Sequence, residues 1–105
     1  MARRLVQRRA AEEDIAEQVA YIAAERPAVA HRYATALGDA FERIRQMPEI
    51  AALRSYGRRE LEGMRVWSVS GFRRFLVFYR VTEKTIEVIR VLHSARDIPR
   101  ALKRR

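Results

Sequence analysis

Between Phe75 and Val81 the chain reads Phe-Leu-Val-Phe-Tyr-Arg-Val, with apolar side chains on consecutive positions rather than on every second one. A strand sends successive side chains to opposite faces, so a run of this kind needs apolar cover on both sides of its sheet. Two similar runs flank it, Met64–Val69 and Thr85–Leu92, separated from it only by Ser70-Gly71 and by Thr82-Glu83-Lys84. They are rich in β-branched and aromatic residues, as strands are. Connections this short predict an antiparallel meander with the Phe75 run in the middle.

The rest of the chain has to supply the cover. Ala11, Ile15, Val19 and Ile22 recur at spacings of four, four and three, one stripe of an amphipathic helix over about 10–25. Arg26-Pro27 ends it, because the residue before a proline is pushed out of helical backbone while the proline suits the first turn of a new helix. Ala30, Tyr33, Ala34, Leu37, Phe41 and Ile44 mark the apolar face of that second helix, which stops at Met47-Pro48. Two helices joined by so short a turn form an antiparallel hairpin, able to cover one face of the sheet. Residues 3–8, with apolar Leu5 and Val6, read as an opening strand, and residues 48–60, with Pro48 and Gly57, as an ordered loop. Ser94-Ala-Arg-Asp97 has capping-box spacing ahead of Pro99, which predicts a short last helix over 95–103 with Ser94 as its cap. The expected architecture is therefore α+β in the order β-α-α-β-β-β-α, a helical hairpin packed on a small antiparallel sheet. Loop and tail cover part of the other face. At 105 residues this is a single domain spanning 1–105.

Charge is unevenly distributed along it. Twenty of the 22 basic residues are arginine, and the formal net charge is +9. Residues 1–53 carry eight arginines against eight acids, whereas residues 54–105 carry fourteen basic residues against five, so the whole excess sits in the second half. A GC-rich genome explains the choice of arginine better than it explains this asymmetry. Such a field steers acidic partners, whether nucleic acid, acidic peptide or acidic protein surface. The absence of cysteine excludes a disulfide framework, a thiolate metal site and a cysteine nucleophile. Charges through Arg3, Arg4, Arg8, Arg9, Glu12 and Glu13 leave no apolar signal core, and no 18 apolar residues run together, so a cytoplasmic protein without a membrane anchor is expected.

Candidate chemistry is sparse. The two histidines, His31 and His93, are too few for a histidine-based metal site without carboxylates, and no metal or cofactor is expected. His31 falls off the apolar stripe and is expected to face solvent. His93 ends the last strand where the chain hands over to a helix, a place where sites are often built, and it reads equally as a catalytic group or as a hydrogen-bonded structural one. The run Glu12-Glu13-Asp14 reads as a solvated helix start, and Trp67 as core rather than a base-stacking platform. The arginines fall into pairs, among them Arg58/Arg59 and Arg73/Arg74, with Arg96 and the tail Lys103-Arg104-Arg105 following. Their placement on strands and turns of one sheet predicts convergence on one basic surface.

Asp14-Ile-Ala-Glu-Gln-Val-Ala-Tyr-Ile22, Phe41-Glu-Arg-Ile-Arg-Gln-Met-Pro48, Phe75-Leu-Val-Phe-Tyr-Arg80 and Val88-Ile-Arg-Val-Leu-His-Ser-Ala-Arg-Asp97, in this element order, resemble the RelE/ParE superfamily of bacterial type II toxins, on the ParE side. The closing run over 90–97 is the most specific piece. The resemblance implies a toxin encoded beside an antitoxin that holds it inactive. ParE-like members poison DNA gyrase by protein contact, whereas RelE-like members cut messenger RNA on the ribosome. RelE-like nucleases carry an arginine in an Arg-Leu-Val-Tyr run on the central strand; matching Tyr79 puts Leu76 at that position here. Should the chain be a nuclease, His93, Arg96 and Arg74 are its candidate catalytic groups. As a gyrase poison it has no catalytic residue, and Arg73, Arg74, Arg96, Arg58 and Arg59 are the expected contacts to an acidic antitoxin segment or to the target. Direct nucleic-acid binding is allowed by the charge but is not required.

Overall fold

A computed structural model describes residues 3–103, apart from the side chain of Glu60; the Arg104-Arg105 end of the basic tail lies outside the described residues. The elements are β1 (Arg4–Gln7), α1 (Arg9–Glu25), α2 (Pro27–Gln46), β2 (Leu53–Arg54), a 3-10 turn at Arg59–Leu61, β3 (Met64–Val69), β4 (Phe72–Val81), β5 (Thr85–His93) and α3 (Ile98–Leu102). The strands form one five-stranded sheet in the order β1-β5-β4-β3-β2. The meander β3-β4-β5 is antiparallel as expected, with β4 in the centre.

Two features depart from the expected sheet. It is mixed rather than antiparallel throughout, because β1 lies parallel to β5 over Arg4–Gln7. A parallel neighbour needs a long crossover, and here the helical hairpin and the meander together provide it. The loop over 48–60 also contributes a two-residue strand, β2, paired with Met64 and Arg65. Two residues carry no periodicity for a sequence pattern to register.

Both faces of the sheet are covered. On the helical side Ala11, Tyr33, Leu37 and Ile44 pack against Val69, Val77, Tyr79, Ile86, Val88 and Val91, with Ile15, Val19, Ile22 and Phe41 at the margin. On the other side Phe78, Ile89 and Leu92 pack beneath Leu61 of the 3-10 turn, Ala101 and Leu102 of α3, and Tyr56. Val77 and Tyr79 thus serve one core and Phe78 the other, which is what consecutive apolar residues require. On α2 the stripe holds except at Ala34, which is exposed, while Ala40 is buried in its stead. Trp67 packs half-buried against the helical-side core.

Two register shifts shape the end of the sheet that matters below. Phe78 pairs with Arg90 but Tyr79 pairs with Val88, so Ile89 is an extra residue on β5. Hence Val88 and Val91, three apart, share the helical face, while Ile89 and Leu92 share the other. Between β3 and β4, Ser68 pairs with Leu76 but Val69 pairs with Phe72 across the Ser70-Gly71 turn, where Gly71 has φ +82°. Phe72 and Phe75 consequently both reach the ring of Tyr33, at centroid distances of 5.2 and 4.8 Å, and the intervening Arg73 and Arg74 are left exposed.

Candidate functional site

Three of the expected residues meet at the corner where β5 ends. The Ser94 N–H donates to the Arg74 carbonyl at 2.7 Å, and the Arg96 N–H donates to the His93 carbonyl at 3.0 Å, so the backbones of His93, Arg74 and Arg96 adjoin. The side chains of Arg74 and Arg96 are exposed, that of His93 half-buried. His93 stands edge-on to Phe75, ring centroids 5.1 Å apart. Its Nδ1 accepts the Ala95 N–H at 3.0 Å, which fixes the ring and assigns the hydrogen of the neutral imidazole to Nε2. The ring also borders a groove of about 370 Å³ that Gln18, Tyr21 and Ile22 of α1 line from the other side.

Arg73 belongs to the same corner through its place beside Arg74. Arg58 and Arg59 do not. Arg58 precedes and Arg59 opens the 3-10 turn at the opposite end of β4, where the Arg80 Nε donates to the Glu62 carbonyl at 3.0 Å. Six residues of strand, about 20 Å, separate Arg74 from Arg80. Among the described residues the expected arginines therefore lie at two ends of β4, with Arg73, Arg74 and Arg96 at one and Arg58 and Arg59 at the other, rather than on one surface. Other basic residues of the second half are engaged within the fold: the Arg65 Nη1 donates to the Ala51 carbonyl at 2.6 Å, and Arg90 is buried. His31 is exposed on α2 as expected.

The most tightly organised polar group is one the sequence reading placed in water. Asp14 is buried, and its carboxylate takes the Arg90 Nε and Nη2 at 2.7 Å each and the Val91 N–H at 3.0 Å. One turn later, the Gln18 side-chain amide donates to the Val91 carbonyl at 2.8 Å and accepts from the Tyr33 hydroxyl. β1 pairs with β5 only as far as Val88, so Asp14 and Gln18 serve Val91 where a neighbouring strand would otherwise be needed. The Arg90 Nη1 donates on to the Ala101 carbonyl of α3 at 2.7 Å, which ties both covering layers to one strand edge. Bonding to Asp14 raises the Arg90 pKa, and burial, reinforced by the Asp14 charge, pushes the Tyr33 phenol well above its usual range. The signal in the sequence is the i, i+4 spacing of Asp14 and Gln18 beside the apolar stripe; their partners on β5 lie more than 70 residues away.

α3 starts at Asp97, whose Oδ1 accepts the Arg100 N–H at 3.4 Å, and not at Ser94. Ser94 remains in the turn, held to Arg74. Among the described residues no group of three or more His, Cys, Asp or Glu is placed to hold a metal ion, and no helix is long and apolar enough to cross a membrane.

A helical hairpin on one face of a five-stranded mixed sheet, with a short last helix and a 3-10 turn on the other, defines a small α+β domain. Residues 5–98 match the family described as ParE toxin of type II toxin-antitoxin system, parDE, and the chain belongs to that family. In three dimensions it is similar to a chain of the chromosomal ParDE toxin–antitoxin system from P. aeruginosa, with a TM-score of 0.72 and 18% sequence identity over 88% of this chain and 96% of that one. No curated protein matches the sequence.

Proposed function

We propose that this chain is a toxin that inhibits DNA gyrase by protein–protein contact in the cytoplasm and is neutralised by an antitoxin supplying an acidic segment that folds on docking. Membership of the ParE toxin family supports the toxin role, and the ParDE system of its structural neighbour supports the pairing with an antitoxin. The observation that carries the choice of a non-enzymatic mode is Leu76. It stands where the resemblance to RelE-like nucleases requires an arginine, and it packs half-buried against the second core beside Phe78 and Leu92. Cleaving a phosphodiester by 2′-hydroxyl attack needs a base, an acid and cationic stabilisation of the phosphorane. With Leu76 in that place, the central strand offers no cation there.

The arginines at the β5 corner, Arg73, Arg74 and Arg96, are the contacts we assign to the acidic segment or to the target, with Arg58 and Arg59 forming a second anchor at the far end of β4. Neutralisation is then occlusion of these surfaces. One observation favours the nuclease alternative: the adjoining backbones of His93, Arg74 and Arg96. Inducing the chain alone in a bacterial host separates the two. A gyrase poison raises DNA-damage signalling while transcripts stay intact; a ribosome-dependent nuclease arrests translation, and primer extension then finds codon-positioned cuts.

A further inference from the structure

Charge is divided between the layers of the fold. Residues 9–46, the helical hairpin, carry five arginines against seven acids, whereas residues 47–103, from the loop before β2 to the end of α3, carry twelve basic residues against six. Part of that excess gathers where β5 gives way to α3. On β4, Leu76 and Phe78 face the α3 side, and alternation puts Arg74 on the same side. The Arg74 carbonyl accepts the Ser94 N–H at 2.7 Å, which seats Arg74 against the turn that holds Arg96. Arg96 and Arg100 line one cavity of about 290 Å³ together with Asp97 and Ala101.

Arg74, Arg96 and Arg100 are exposed, and none of their guanidinium groups has a hydrogen-bonding or ionic partner among the described residues. Asp97, the acid lining the same cavity, is engaged by the Arg100 N–H as the cap of α3. Three cations grouped in this way favour an anionic partner. The patch also lacks an apolar anchor. Among the described residues the exposed large apolar side chains are Val6, Tyr21, Met47 and Leu53, none of them from the stretch between Arg73 and Lys103, and Tyr21 belongs to the groove on the hairpin side of His93. Protein interfaces draw most of their energy from buried aromatic or aliphatic anchors, whereas a nucleic-acid backbone is held by charge alone. The arginine fork matches phosphate oxygens in pairs.

We infer that Arg74, Arg96 and Arg100 form a contact to the phosphate backbone of duplex DNA, through which the toxin grips the DNA in the gyrase complex as well as the enzyme. The inference rests on the gyrase reading above for its setting. Arg100 enters it through the fold alone, because α3 carries it to the cavity that Arg96 lines.

The experiment titrates a short labelled DNA duplex with the purified full-length toxin, by fluorescence anisotropy over a range of salt concentrations, beside a gyrase supercoiling assay of the same preparation. A triple variant, Arg74→Gln, Arg96→Gln and Arg100→Gln, shown folded by circular dichroism, is expected to bind the duplex on the order of tenfold more weakly at low salt. Its slope of log affinity against log salt is expected to be shallower by about three, one for each lost phosphate contact. Arg32→Gln, at an exposed position of α2, is expected to change neither. Toxin that inhibits gyrase while the triple variant keeps the parent's duplex affinity and salt slope overturns the phosphate contact and leaves the gyrase reading standing. Duplex binding lost in the triple variant, with supercoiling untouched by the parent toxin, upholds the contact and overturns the gyrase reading. Single-stranded RNA, or a polyglutamate of equal charge, bound at these residues more tightly than the duplex overturns the assignment to DNA.

Discussion

Asp14 and Arg90 form a two-pronged ion pair, both bonds 2.7 Å, across 76 residues of sequence. The pair joins the first turns of α1 to the last strand and, through Ala101, to α3. Removing one member leaves the other charged and buried, which is far costlier than removing both. Asp14→Ala is expected to destabilise the domain by about 3–5 kcal/mol, whereas Asp14→Leu combined with Arg90→Met recovers most of that loss. Urea unfolding of the singles and the double checks it; additive losses would contradict a coupled pair.

Tyr33 gives the fold an alkaline limit. Its phenol is held protonated by burial and by Asp14, so its pKa is higher folded than unfolded. Burial raises those of Tyr56 and Tyr79 as well. The unfolded chain then releases protons first, and stability that is complete below about pH 10 is lost as pH rises beyond it. Melting temperature is expected to fall above that pH, less steeply for Tyr33→Phe. The same variant also loses the bond to Gln18, about 1 kcal/mol at neutral pH.

The cap of α3 separates two serviceable residues. Asp97→Ala removes the acceptor of the Arg100 N–H and is expected to cost about 0.5–1 kcal/mol, at the low end for such caps because the bond is 3.4 Å long. Ser94→Ala, whose backbone rather than side chain is engaged with Arg74, is expected to be near neutral. Thermal melts of the two variants decide between them.

Much of the architecture was legible because its signals are local. Pro27 marks the start of α2, the spacing of Ala11, Ile15, Val19 and Ile22 marks the buried side of α1, and the unbroken apolar run from Phe75 already demands two cores. What escaped depends on distant partners. Asp14 looks like any acid at a helix start until β5 arrives beside it, and Arg90 looks like another surface cation in a basic half. The extra residue at Ile89 and the displacement of Arg73 and Arg74 follow from how strands pair, which alternation within one strand does not reveal. The corner of His93, Arg74 and Arg96 was legible as residues but not as a place, and Arg58 and Arg59 belong to a different end of the sheet.

Charge reversal at the corner tests the electrostatic part of the partner interface. Replacing Arg73, Arg74 and Arg96 together with Glu is expected to weaken the antitoxin complex by on the order of tenfold or more at low salt, and to flatten the dependence of affinity on ionic strength. Affinity and salt dependence unchanged from the parent would place the acidic contact elsewhere.

Purified toxin, freed of antitoxin, added to DNA gyrase and supercoiled plasmid is the most direct measurement. A gyrase poison blocks supercoiling and traps a cleaved-DNA complex, and addition of the antitoxin reverses both effects. Supercoiling at the normal rate with no cleaved complex, from a folded toxin that still binds its antitoxin, would contradict inhibition of gyrase by contact.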